Sequence, residues 1–180
     1  MAKKPVRTVF NVPSFNLREL THSDFAAWSV LAADQVREPH EELSAMAKDI
    51  GGSRKGKLAV IHYVLTAYET ALAWEQNGEA RELIFAAFLL QDPLAFRKEL
   101  DIFSAALRLG TVGTERPFSL RRSAKACKFA WLNHWAPWQF GYEIYCAGIA
   151  GVAKRWTEVS TTAALNASSN TGGMPVVAAS

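Results

Sequence analysis

The segment 118–156 constrains the fold most, because it joins a capped helical pattern to a proline break and holds four of the six tryptophans. Ser119 is placed to cap a helix from Leu120 to about Trp135, since Pro137 then interrupts the pattern. At about 100° per residue, one arc of this helix is apolar and the neighbouring arc is cationic. The apolar arc contains Leu120, Ala124, Cys127, Trp131 and Trp135, and the cationic arc contains Arg121, Arg122, Lys125 and Lys128.

The cationic arc also carries the aromatic ring of Phe129. Cations beside an aromatic ring are what a groove for single-stranded nucleic acid requires, because the cations hold phosphates and the ring stacks on any base. The alternative interpretation is a solvated basic helix face with one stray phenylalanine. The pattern by itself leaves both interpretations open.

Helical patterns separated by turn residues recur along the chain and predict an all-α fold. We expect a compact helical bundle core over residues 21–159, with an extended N-terminal arm over 1–20 and an extended C-terminal tail over 160–180. The predicted helices run from Thr21 or Ser23 to about Arg37, from Pro39 to Gly51-Gly52, and over 58–76, 80–90, 93–109, 120–135 and 138–157 or slightly beyond. The apolar stripe predicted for the helix over 58–76 consists of Leu58, Ile61, Leu65, Tyr68 and Leu72.

The two ends of the chain are predicted to be arms, for different reasons. Residues 1–13 are basic and contain no acid, and their apolar side chains are better buried in a neighbouring subunit than exposed. The residues expected to make this subunit contact are Val6, Val9, Phe10 and Val12. A frayed terminus is the alternative. The tail is low in charge and rich in small residues, a composition that predicts disorder without a partner.

The net charge of +3 is unevenly distributed. Residues 116–180 carry seven Lys and Arg against Glu143 and Glu158, and residues 1–13 add three more cations, so the middle of the chain is acidic. Basic ends around an acidic middle favour contact with a polyanion. The same distribution also favours contacts between copies of the chain.

Other function classes lack their signatures. There is no phosphate-binding glycine loop, serine elbow or HExxH motif, so we expect no enzyme, no cofactor and no metal site. Cys127 and Cys146 have no disulfide or metal spacing and are expected to be small core residues in a reducing, cytosolic setting. We expect no membrane contact, because Lys and Glu interrupt each apolar run and the N-terminus lacks the apolar core of a secretory signal.

The helix after Ser119 resembles the central helix of the coat proteins of flexuous filamentous plant RNA viruses, the potexvirus- and potyvirus-like family. That family starts the helix with Thr/Ser-Leu/Phe-Arg-Gln, ends it near an Asn, and follows it with an aromatic-Asp-aromatic motif and a Gly. The similar residues here are Ser119-Leu120-Arg121-Arg122, Asn133, Tyr142-Glu143-Ile144-Tyr145 and Gly148. Upstream, the similar residues are Glu42-Leu43-Ser44, Lys48-Asp49 and the helix over 58–76 with Asn77-Gly78.

The resemblance implies a viral capsid protein, found in the virion and in the host cytoplasm. Such a protein would polymerise with itself into a helical filament through its N-terminal arm. It would package single-stranded RNA in a basic groove, largely independently of base sequence. We expect the RNA-binding residues to be Arg121, Arg122, Lys125, Lys128, Phe129, Asn133 and Glu143.

Within this set, we expect Glu143 to orient Arg121 through an ion pair at the base of the groove. The alternative for these two residues is a plain intramolecular salt bridge. Two other functions stay open for the whole chain. One is a phlebovirus-like nucleoprotein, which is thought to share the fold, and the other is a helical assembly or interaction protein that binds no nucleic acid.

Overall fold

The computed structural model describes residues 14–15, 33–52, 56–76, 83, 100–111 and 119–170. This part of the chain is overwhelmingly helical, which confirms the predicted all-α class. Its helices are α1 (Ala33–Gly52), α2 (Gly56–Gln76), α3 (Ile102–Leu109), α4 (Leu120–Leu132) and α5 (Pro137–Asn170). Two short strands, β1 (Ser14–Phe15) and β2 (Leu100–Asp101), pair antiparallel with Ser14 opposite Asp101.

Some predictions fall on residues that the structure does not describe. The expected subunit-contact residues Val6, Val9, Phe10 and Val12 are among them. Most of the helix predicted to start at Thr21 or Ser23 also lies outside the described residues. Of the helix predicted over 80–90 only Leu83 is described, and it is helical and fully buried.

Helix α2 is the centre of the bundle, because α1, α3 and α5 all pack against it. It therefore buries more than one arc of side chains. Its buried residues are Ile61, Tyr63, Val64, Ala67, Tyr68, Thr70, Ala71 and Trp74. The single predicted stripe is wrong at Leu58, which is 57% exposed. Leu65 and Leu72, also in that stripe, are only partly buried.

Helix α1 is continuous where the sequence predicted two helices that meet at Pro39. A proline inside a helix cannot donate a hydrogen bond to the carbonyl four residues earlier, which here belongs to Gln35. The indole Nε1–H of Trp74 donates to this carbonyl at 3.3 Å. A tertiary contact from α2 thus supplies a donor that Pro39 cannot, and no local pattern around Pro39 reveals it.

Helix α3 begins at Ile102, so a single helix over 93–109 is wrong. Asp101 has an extended backbone, with φ −84° and ψ 160°, and caps the helix. Its carboxylate accepts hydrogen bonds from the backbone N–H of Ser104 at 2.9 Å and from the Ser104 hydroxyl at 2.7 Å. The helix ends at Gly110, whose backbone lies so close to Leu43 of α1 that a Cβ atom would collide with it.

Helix α4 is capped as predicted, since Ser119 Oγ accepts a hydrogen bond from the Arg122 N–H at 3.3 Å. It ends at Leu132, earlier than the predicted Trp135. The backbone of His134 turns to φ 54°, and its N–H donates to the Trp131 carbonyl at 3.0 Å. The Trp135 N–H donates to the Ala130 carbonyl at 2.9 Å. These are the two bonds of a Schellman turn, which ends the helix before Pro137 is reached.

Helix α5 contains a break at Gly148, where φ is 73° and ψ is 158°. This backbone conformation is essentially confined to glycine. We call residues 137–147 before the break α5a and residues 149–170 after it α5b. Segment α5a presents Cys146 to solvent, so the prediction of a core position is wrong for that cysteine and correct for the buried Cys127.

Segment α5b extends well beyond the predicted end near Thr157 and includes the first part of the predicted tail. The hydroxyls of Ser160, Thr161 and Thr162 donate to backbone carbonyls one turn earlier. Small hydroxyl side chains are thus compatible with the helix because its own backbone satisfies them. The change of composition at residue 160 is not a structural boundary.

Candidate nucleic-acid interface

Helix α4 buries only small side chains, namely Ser123, Ala124, Ala126, Cys127 and Ala130. It packs against α5 more extensively than any other pair of described helices packs. Small residues at a helix contact allow the two backbones to approach closely, because no long side chain separates them. The cationic arc of α4 is therefore left at the rim of this contact, beside α5b.

A groove opens between α4, α5b and the end of α3. It consists of two adjoining cavities of about 420 and 460 Å³, which share Ser119, Arg121 and Lys125. Among the described residues, six cations line these cavities and no Asp or Glu does. We call this feature the cationic groove, and its cations are Arg108, Arg121, Arg122, Lys125, Lys128 and Lys154. Its apolar lining is formed by Leu120, Ala124, Ala150, Ala153 and Trp156.

The cations of the groove differ in how far acids already neutralise them. Lys128 Nζ lies 2.7 Å from an Asp101 carboxylate oxygen, and the two side chains are only 21% and 14% exposed. Lys154 lies 3.6 Å from Glu158 in an exposed pair of the kind that contributes little. Arg121 and Arg122 are exposed, and neither forms an ion pair within the described segments.

Lys125 lies at the centre of the groove and connects its two walls. Its Nζ donates a hydrogen bond to Thr157 Oγ1 of α5b at 3.0 Å, and Thr157 Oγ1 donates to the Ala153 carbonyl at 3.2 Å. The N-terminus of α4 also opens on the groove, because its cap Ser119 lines both cavities. The positive end of the helix dipole therefore adds to the potential of the cations.

Four of the seven residues predicted to bind RNA line the groove together: Arg121, Arg122, Lys125 and Lys128. Helical spacing explains this, since the four residues lie on one arc of α4. Lys128 is the least available of them because of its half-buried ion pair with Asp101. Sequence patterning thus found the helix wall of the groove.

The structure gives Phe129 and Asn133 places outside the cavity linings. The Phe129 ring is half-buried and meets Trp135 edge to face, with ring centroids 5.4 Å apart. Asn133 is the C-cap of α4, and its side-chain Nδ2 donates to the Phe129 carbonyl at 2.7 Å. Both residues hold the turn between α4 and α5.

The predicted ion pair between Arg121 and Glu143 is not formed. Instead, Arg155 Nη1 donates a hydrogen bond to the Glu143 carboxylate at 2.8 Å, and the two side chains form an ion pair. Both partners belong to α5, on opposite sides of Gly148. The prediction failed because it folded Glu143 towards α4 from the turn before Pro137, whereas the partner of Glu143 lies beyond a second break, at Gly148.

The second wall of the groove, which includes Lys154 and Thr157 on α5b, was not predicted from the sequence, and neither was the cation Arg108 at the end of α3. A signal for the α5b wall exists, because Ala150, Ala153, Lys154 and Thr157 have the spacing of one helix face. No signal for Arg108 exists in the local sequence, since its position depends on how α3 packs against α4.

Potential metal ligands and buried titratable groups also occur in the described segments. No group of three His, Cys, Asp or Glu is arranged there to hold a metal ion. Burial raises the pKa values of Tyr63 and Tyr68 well above their usual range. Burial also raises the pKa of the Cys127 thiol, which keeps it protonated and unreactive. No helix among the described residues combines the length and apolar character needed to cross a bilayer.

No protein-family model, no curated protein sequence and no solved structure matches this chain. A functional assignment must therefore rest on the chemistry of the cationic groove and its surroundings.

Proposed function

We propose that this chain binds single-stranded RNA in the cationic groove and acts as a coat or nucleocapsid protein that polymerises along the RNA. The observation that carries the proposal is the lining of two adjoining cavities by six cations, with no acid among the described lining residues. A continuous cationic surface of this kind binds a chain of phosphates through charge and counterion release.

The dimensions of the groove favour a single strand. Each cavity, at about 420 to 460 Å³, has the volume of a site for a small molecule or one nucleotide-sized group. The exposed guanidinium groups of Arg121 and Arg122 offer forked donors that suit phosphate oxygens. Lys125, shared by both cavities, would exchange its bond to Thr157 for a phosphate.

Binding of this kind depends little on base sequence. The polar groups of the groove are mainly charged donors, which contact phosphates and carry no sequence information. The aromatic side chain in the lining is Trp156, and only 6% of it is exposed, so stacking on a base contributes less than was expected from Phe129. Affinity should therefore be electrostatic and strongly dependent on salt.

Polymerisation is the part of the proposal that rests on the resemblance and on the charge distribution. Residues 1–13 would link each copy to the next through their apolar side chains, in a heterologous contact that repeats without closing. The grooves of successive copies would then form one track for the RNA.

One observation favours the second candidate, an assembly protein that binds no nucleic acid. Trp138, Tyr142 and Tyr145 are 76%, 65% and 62% exposed, and their spacing puts them on one face of α5a. Exposed aromatic groups clustered on one face mark a surface for contact with another protein.

Fluorescence anisotropy with a labelled oligouridylate, measured over a range of salt concentrations, tests the proposal. Arg121→Ala and Lys125→Ala should each weaken binding and reduce the slope of log K against log salt by about 0.7 to 1. The matched control is Lys57→Ala, because Lys57 is an exposed cation on α2 that lines neither cavity. Equal effects of all three changes would show that net charge, and not the groove, determines binding.

Size-exclusion chromatography before and after nuclease treatment separates the two candidates. Protein filaments that contain RNA should elute as large particles with high absorbance at 260 nm and should become smaller after digestion. Particles that contain no RNA and resist nuclease would favour the assembly protein. An oligouridylate–oligoadenylate duplex is the control for strandedness and should bind more weakly than the single strand.

A further inference from the structure

An ion pair crosses the break in α5. Glu143 lies in α5a and Arg155 lies in α5b, and their side chains meet at 2.8 Å. Arg155 is 43% exposed and Glu143 is 28% exposed. A pair that is this exposed adds little to stability, because solvent screens it and its side chains lose entropy. Its position on the two sides of Gly148 suggests a geometric role.

The pair can form only because the chain bends. In a straight helix, residues 143 and 155 would be about 18 Å apart along the axis, at 1.5 Å per residue. An arginine and a glutamate side chain together do not span that distance. Gly148 therefore turns α5b back towards α5a, and its positive φ of 73° is a conformation that other residues adopt with strain.

The two segments have different attachments. Segment α5a is anchored to the core, because Phe140 and Ile144 are fully buried and the Phe140 ring lies 4.8 Å from that of Tyr68 in α2. Segment α5b is also packed, since Val152, Ala153 and Trp156 are at most 6% exposed, and it carries one wall of the cationic groove, with Lys154 and Thr157 facing the cations of α4. The angle between α5a and α5b therefore determines where that wall lies relative to the core.

We propose that Glu143 and Arg155 are positioning residues, whose ion pair across Gly148 holds α5b at a fixed angle and so sets the width of the cationic groove. The effect on RNA binding rests on the proposed function, whereas the effect on the angle does not. Neither residue lines a described cavity of the groove, so neither is expected to contact the RNA directly, and their net charge acts on it only from a distance.

The change Glu143→Gln gives the sharpest test, because electrostatics and positioning predict opposite signs. Loss of an acid makes the protein more positive, so electrostatics alone predicts tighter binding of RNA. Loss of the ion pair leaves the angle of α5b to its packing alone, so positioning predicts a Kd raised about fivefold, within the usual range for residues that act on a site through others. The matched control is Glu69→Gln, which removes an exposed acid of α2 that lines neither cavity and should tighten binding slightly.

A distance measurement tests the angle without RNA. Cys146 is exposed and Cys127 is buried, so a spin label attaches to Cys146 of α5a, and Thr162→Cys adds a second label on the exposed face of α5b. Pulsed electron paramagnetic resonance should give one narrow distance for the otherwise unchanged chain. Glu143→Gln or Arg155→Gln should lengthen and broaden this distance with little change in melting temperature.

The exchanged pair, Glu143→Arg with Arg155→Glu, keeps the net charge and restores an ion pair across the break. It should recover the narrow distance and most of the RNA affinity. Unchanged distances in both single variants, or tighter RNA binding by Glu143→Gln, would overturn the proposal. If the unmodified chain binds no oligouridylate, the proposed function fails, and the distances alone decide whether the pair positions α5b.

Discussion

The core around α2 and the buried side of α4 are built from opposite kinds of side chain. Around α2 the largest fully buried residues are aromatic, namely Trp74, Tyr63, Tyr68, Phe103 and Phe140. At α4 the buried residues are alanine, serine and cysteine. Large side chains stabilise the fold by removing apolar area from water, whereas small ones let two helices meet closely beneath a charged rim.

The polar atoms of the aromatic core are satisfied in a way that fixes neighbouring elements. The Tyr63 hydroxyl donates to the Leu107 carbonyl of α3 at 2.8 Å, and the Tyr68 hydroxyl donates to the Trp135 carbonyl at 2.9 Å. Among the described side chains, no buried polar atom lacks a hydrogen-bond partner. The comparison indicates that stability is concentrated around α2 and that binding is assigned to α4 and α5b, so changes in the two regions should have separable effects.

The largest expected effect is the loss of an aromatic side chain from the core. Phe103 is 1% exposed and stacks on Tyr68 with ring centroids 5.8 Å apart. Phe103→Ala should lower the free energy of unfolding by about 3 to 5 kcal/mol, as measured by urea denaturation followed by circular dichroism. The oligouridylate affinity of the folded protein should not change. Phe103→Leu is the control and should show a smaller loss of unfolding free energy. A large loss of oligouridylate affinity in the folded Ala variant would show that the effects on stability and on binding are not separable.

A smaller loss of stability is expected when a small buried side chain of α4 is enlarged. Ala126 is fully buried, so Ala126→Leu should lower the free energy of unfolding by about 1 to 3 kcal/mol through overpacking. Unlike the core change, it should also weaken oligouridylate binding, because it displaces a wall of the groove. The control is Ala73→Leu at an exposed position of α2. Binding that survives the loss of stability would show that the groove tolerates movement of α4.

The smallest effect is expected at Leu58, which the sequence pattern placed in the core stripe and the structure places 57% exposed. Leu58→Ser should change the free energy of unfolding by less than about 0.5 kcal/mol, as is usual for surface positions. The comparison variant is Ile61→Ser, one turn further along α2 and only 6% exposed, which should be strongly destabilising. A large effect of Leu58→Ser in thermal denaturation would indicate that Leu58 belongs to the buried stripe that the sequence pattern predicted.

The sequence predicted those features that arise within one helix. The Ser119 cap, the cationic arc of α4 and the boundaries of α2 all follow from residues a few positions apart, where helical geometry is enough. It failed where a distant segment decided the outcome. Trp74 donates to the Gln35 carbonyl, which the residue at Pro39 cannot do, within a helix that stays continuous. Packing on several sides of α2 replaces a single stripe with a broad buried surface.

The same distinction applies to the two walls of the groove. Its α4 wall was predictable, whereas the α5b wall depends on the backbone of Gly148 and on the pairing of Glu143 with Arg155. A glycine in a sequence does not show whether it will adopt a positive φ, because glycine is equally at ease in ordinary conformations. The partner of an acid is likewise unknown until the bend that brings the two side chains together is known.

Because α3 is short, the complete groove is expected to form only when the other helices have assembled. Eight residues are too few for a helix to persist alone in water, and its anchoring bonds come from residues distant in sequence, such as Tyr63 and Lys128. Arg108 therefore reaches the groove only in molecules whose other helices have already assembled. A partly unfolded chain would lack this edge, so native-state hydrogen exchange should show the α3 amides opening together with those of α2 and α4.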